Sequence, residues 1–140
     1  MKNLSAIFAV GLLVLVSLAC NFSVGKTGVV SVESVTLAKD ANGTPGETVT
    51  GFSAADKTQY FVVTLNEGKT GTRVKGVFTA VNAGGETNEK MAETEVVTVD
   101  ENQNKVDFHI SLPDGFPAGE YKAEFFLNDQ PAKTVNYRVQ

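Results

Sequence analysis

Asp107, His109 and Ser111 stand at alternate positions of one run, and they are the three side-chain types of a hydrolytic relay. A relay needs contacts of about 3 Å converging from different elements. Alternate residues of a strand sit about 6.6 Å apart and project in parallel. The three also point away from Val106, Phe108 and Ile110, so solvated side chains are expected. Asp100-Glu101-Asn102-Gln103-Asn104 opens like a calcium loop, but Lys105 and Ser111 occupy the positions that need Gly and Glu. A hairpin turn accounts for the same residues. Glu86, Glu89, Glu93 and Glu95 could weakly hold a divalent ion or repel a partner. The plainer reading is a solvated loop, or an edge on which charge blunts strand pairing. Gly68-Lys69-Thr70-Gly71 faintly resembles a phosphate loop, but it lies between strands and no helix follows. No catalytic, cofactor-binding or metal-ligating residue is expected, and no cofactor.

Composition narrows the classes further. One Cys in 140 residues allows no intrachain disulfide and no multi-thiolate metal site. One His allows no His-pair zinc site. A net charge of −4 argues against holding nucleic acid by its phosphates. Hydrophobic residues at 42% and charged residues at 20% are ordinary for a globular domain. The length suits one domain and hardly two.

The chain opens Met1-Lys2-Asn3 and then runs from Leu4 to Ala19 without a charge. As a helix that stretch rises about 24 Å, short of a hydrocarbon core of about 30 Å. It therefore reads as a secretory signal. The sole cysteine closes it, in Val16-Ser17-Leu18-Ala19-Cys20. This resembles a bacterial lipoprotein signal, with small Ala19 before the cleavage point and Ser17 where the family usually has Leu. The resemblance implies cleavage after residue 19, lipid attachment at Cys20 and a stable hold on the outer face of a bacterial membrane. Residues 20–28 form the lipidated cysteine and a short tether. Loss of Lys2 leaves eleven cations against sixteen anions, a net of −5.

Residues 29–140 show period-two alternation in short runs punctuated by turn residues. The runs are 29–38, 48–52, 59–65, 72–81, 93–99, 105–112, 120–127 and 132–139. The best helix candidate, Asn88 to Val96, is one or two turns at most. Inward sets follow from parity: Phe61, Val63 and Leu65; Val74 and Phe78; Val106, Phe108, Ile110 and Leu112; Tyr121, Ala123, Phe125 and Leu127; Val135, Tyr137 and Val139. An all-β antiparallel sandwich of seven or eight strands is expected, preceded by the helical signal segment.

Pro117-Ala118-Gly119-Glu120-Tyr121 resembles the start of the sixth strand of an immunoglobulin-like or fibronectin type III domain. There the tyrosine hydroxyl bonds back to the chain at a corner. Ala123 stands where a true immunoglobulin domain has its second Cys, and Phe78 roughly where it has its core Trp. The resemblance is thus to the disulfide-free architecture. It implies a non-enzymatic binding or structural module of the cell envelope, with an unknown envelope protein or glycan as partner. A solute- or glycan-binding accessory protein is the alternative, and a small envelope enzyme is a weaker one. The absence of Trp speaks against sugar stacking.

In that architecture the third, sixth and seventh strands share a sheet. Their outward residues would include Arg73, Lys75, Val77, Lys122, Phe126 and Arg138, with Glu124 as the one anion. Such a basic, part-apolar face would meet an acidic partner or anionic headgroups, unless the stems of Lys75 and Arg138 simply cover Phe126.

Overall fold

Each alternating run overlaps a strand, the 48–52 run by two residues only, since its strand is Pro45–Val49 and Phe52 makes a separate bridge to Val139. The computed structural model describes residues 29–140; the signal segment, Cys20 and the tether lie outside the described residues. The strands are β1 Val32–Asp40, β2 Pro45–Val49, β3 Thr58–Leu65, β4 Arg73–Ala83, β5 Glu86–Val97, β6 Lys105–Ser111, β7 Gly119–Leu127 and β8 Gln130–Val139. They form two four-stranded sheets, β2-β1-β3-β6 and β5-β4-β7-β8, with antiparallel pairing throughout. β4, β7 and β8 share a sheet, as the resemblance implied, and β2 is added at the edge of the other.

The two inner faces close on a row of aromatic rings. Phe61 and Phe78 stand 4.9 Å apart between centroids, and Phe108 and Phe125 5.5 Å. Phe78 pairs in register with Ala123, and both are fully enclosed. Within that sheet a large ring therefore sits beside a small side chain. Burying each such ring contributes about 1.5–3 kcal/mol.

Turn chemistry fixes the hairpins. Gly84 and Gly85 have φ of 61° and 83° and link β4 to β5 in two residues, while Asn128 and Asp129 do the same between β7 and β8. Positive φ at both central positions gives the turn whose twist matches its strands. The expected corner is formed: the Tyr121 hydroxyl donates to the Pro117 carbonyl at 2.6 Å.

The stretch from Glu86 to Ala92 departs from expectation. It is strand, not turn or helix, because the Gly-Gly turn sends the chain straight back along β4. Positive φ at Asn88 and a register shift opposite Phe78 and Thr79 absorb its irregular sequence. Pairing with a neighbour overrides the helical leaning of Glu-Lys-Met-Ala.

Candidate functional site

Parity places the expected outward residues of β4, β7 and β8 on one face. Lys75 lies beside Phe126, Val77 beside Glu124, and Thr79 beside Lys122 across the β4–β7 pair. Glu120 lies beside Arg138 and Lys122 beside Asn136 across β7–β8. Arg73, Lys75, Val77, Lys122, Phe126 and Arg138 thus belong to one surface; Arg73 and Arg138 are exposed and the other four half-buried.

The charge of that face differs from expectation. β5 lies beside β4 and sets Glu95 opposite Lys75 and Glu93 opposite Val77. Every cation named above has a carboxylate. Arg73 pairs with Asp129, Lys75 with Glu93 at 3.9 Å, Lys122 with Glu124 at 3.3 Å, and Arg138 with Glu120 at 2.5 Å. Lys90 adds a bond to Glu93 at 3.0 Å. The face is charge-balanced, not basic. Glu120 and Glu124 come from β7 and Asp129 from the turn after it, and β5 supplies Glu93. The Lys90 ammonium, with Lys75 behind it, holds the Glu93 carboxyl below its ordinary range.

Phe126 is half-buried, and the Lys75 ammonium sits 4.8 Å from its ring centre. That geometry contributes about 0.5–1 kcal/mol at an exposed site. Arg138 takes no part in covering the ring, because Phe126 pairs with Pro131 and Arg138 lies far along β8 opposite Glu120.

The relay candidates do not converge. Asp107, His109 and Ser111 pair in register with Val62, Tyr60 and Thr58, and all three are exposed. His109 leans on the Tyr60 ring at 5.3 Å, and the Ser111 hydroxyl is bonded to that of Thr58 at 2.9 Å. The Asp100–Asn104 loop uses its oxygens on itself: Asp100 accepts from the Asn102 amide, and Gln103 from the Val99 amide. The Lys69 carbonyl accepts from the Thr72 and Thr98 hydroxyls, which closes the turn that resembled a phosphate loop. Among the described residues no group of three or more His, Cys, Asp or Glu could hold a metal.

Two features escaped the sequence reading. Gln59 is fully enclosed; its carbonyl accepts from the Tyr137 hydroxyl at 3.0 Å, while its amide nitrogen has no protein partner. Parity carried the signal, since Gln59 shares a face with Phe61 and Val63. Burial raises the Tyr137 hydroxyl above its ordinary range, helped by Tyr121 nearby. An open groove of about 630 Å³ lies over this end, lined by Phe52, Glu120, Tyr121, Tyr137 and Arg138 among others. Its three rings are buried, so they offer edges and no stacking face.

No protein-family model matches the chain, and no curated protein matches it in sequence. Among solved structures it is similar to an immunoglobulin-like protein from Pseudomonas aeruginosa, with a TM-score of 0.57 and 12% identity. That likeness covers 83% of this chain and all of the other. A β-glucosidase from Kluyveromyces marxianus, also solved with glucose, gives a TM-score of 0.43 at 17% identity. There 76% of this chain matches 14% of the enzyme's length. The fold is immunoglobulin-like.

Proposed function

We propose that this chain is an exported, lipid-anchored binding module of a bacterial cell envelope, without chemistry of its own. One observation carries the reading. Asp107, His109 and Ser111 stand in a row on the exposed face of β6 without converging, while polar and apolar groups gather on the broad outer face of β5-β4-β7-β8. Cys20 anchors the module, and Arg73, Lys75, Val77, Lys122, Phe126 and Arg138 form its candidate docking face. Exposed ion pairs contribute only about 0–1 kcal/mol each. A partner can therefore exchange them for its own charges at little cost.

Two experiments test the reading. Cys20→Ser should abolish acyl-chain incorporation and release the protein or leave it as precursor; undiminished acylation removes the anchor. In-cell crosslinking with mass identification should give a defined envelope partner. Phe126→Ser with Arg138→Glu, in a protein shown to be folded, should reduce that crosslink, and an unchanged pattern and yield removes the face.

A further inference from the structure

β5 is an edge strand. It is bonded to β4 on one side only, and at twelve residues it is the longest strand. Its first half is irregular, with the left-handed Asn88 and the register shift near Met91. From Ala92 to Val97 the register is continuous. Thr98 prolongs the pairing, giving its amide to Thr72 and its carbonyl to Gly71. In an antiparallel ladder successive residues turn their backbone groups to opposite sides. With Thr98 turned toward β4, Val97, Glu95 and Glu93 turn theirs to the free side. The Val99 amide, next on that side, is closed by the Gln103 side chain at 3.0 Å.

Side chains on this segment have a consistent chemistry. Glu93, Glu95 and Val97 lie on the outer face, in register with Val77, Lys75 and Arg73. Val97 and Val99 are two of the three large hydrophobic residues most exposed among the described residues, at 47% and 81%. The other edges are less open. β2 has five residues, β8 carries Pro131 and is met near its end by Phe52, and β6 has seven residues against the twelve of β5.

We propose that the free edge of β5 from Glu93 to Val97 receives an extended basic segment of a partner protein as an added strand. Backbone bonds to three outward residues supply the affinity, and alternate side chains supply the choice of partner. A cation facing Glu95, one that exchanges with Lys90 and Lys75 at Glu93, and an apolar residue against Val97 fit this edge. A second copy of the chain brings Glu93 and Glu95 against like charges, which disfavours self-pairing. The inference rests on the chain being a binding module, but not on its anchor.

The test uses the full chain in detergent, titrated with a synthetic peptide alternating lysine and valine. Slowed hydrogen exchange confined to the Glu93, Glu95 and Val97 amides is expected. N-methylation of the peptide's bonding amides should weaken binding by about tenfold or more. Glu95→Pro should abolish binding, since its amide faces away from β4 and its loss spares the internal ladder. Glu93→Gln with Glu95→Gln perturbs the fold less, and should weaken binding and flatten its salt dependence. Equal binding of a glutamate–valine peptide overturns the proposal. So does indifference to N-methylation, protection centred on Phe126 or β8, or self-association through β5 without peptide. These outcomes are independent of the acylation test on Cys20.

Discussion

Gln59 and Tyr137 satisfy half of each other's needs within the buried core. The Tyr137 hydroxyl has an acceptor, and the Gln59 amide nitrogen has none. Leaving a buried polar group without a partner costs about 1–3 kcal/mol, whereas removing both partners of a pair can be nearly neutral. Gln59→Leu alone should therefore destabilise the protein, by orphaning the hydroxyl. Gln59→Leu with Tyr137→Phe should recover most of that loss or exceed the parent. Urea unfolding of the four proteins of this cycle measures the coupling, and purely additive losses would show that the bond contributes nothing. Tyr121 offers a simpler case. Its hydroxyl bonds to the Pro117 carbonyl, so Tyr121→Phe should cost about 1 kcal/mol. Gly119, two residues earlier, has φ of 153°, and a methyl there would land on the Asn82 carbonyl oxygen. Gly119→Ala should cost more than Tyr121→Phe in the same urea series, because backbone must move to admit it.

β5 shows how far a strand can be read before it is seen. The runs that became β3, β4, β6 and β7 were legible because parity and burial coincide in them. Val106, Phe108 and Ile110 alternate with Asp107 and His109 without a break. β5 lacks that rhythm. Its burial pattern is mostly exposed, since it packs one side on β4 and little on the other sheet. No alternating signal is therefore written into Glu86–Ala92, and only the Gly-Gly turn fixes its path. The same gap hid part of the charge balance of the outer face, because Glu93 and Glu95 enter it from β5, while Glu120 at the start of β7 and Asp129 in the turn after it supply the rest. Gln59 was missed for a different reason: parity pointed it inward, but residue type pointed it outward. The Glu93 carboxyl also gives β5 a pH response. Lys90 and Lys75 hold it below its ordinary value of 4.5. A depressed carboxyl contributes stability above its ordinary value and loses it as pH falls through the depressed one. Amide exchange along β5, corrected for intrinsic rates, should therefore rise as pH drops below about 4.5. Glu93→Gln should remove that dependence, and an unaltered profile would assign it to another group.

At the scale of the whole molecule, three strand pairs are hairpins of chain neighbours, β1–β2, β4–β5 and β7–β8, and the other three join parts farther apart in the sequence. β3 crosses to β6 and β4 to β7, each over two intervening strands. Such topologies fold in about milliseconds to seconds, since loops must close before contacts form. The chain should give a β-rich circular dichroism spectrum and one cooperative unfolding transition; a dominant helical spectrum or separate transitions for the two sheets would contradict the single shared core. The two ends of the described chain meet opposite ends of the sandwich. Val29 is held by Asn66 beside the β3–β4 loop, and Gln140 is bonded to Phe52 and Ala54 at the other end. A β7 of nine residues sets these ends about 30 Å apart along the strands. Tension applied between them runs parallel to the strands, so it loads the β1–β3 and β7–β8 bonds in shear, all at once, instead of peeling them one by one. Along that axis the sandwich therefore resists with whole ladders, whereas a pull across its strands would open them one bond at a time.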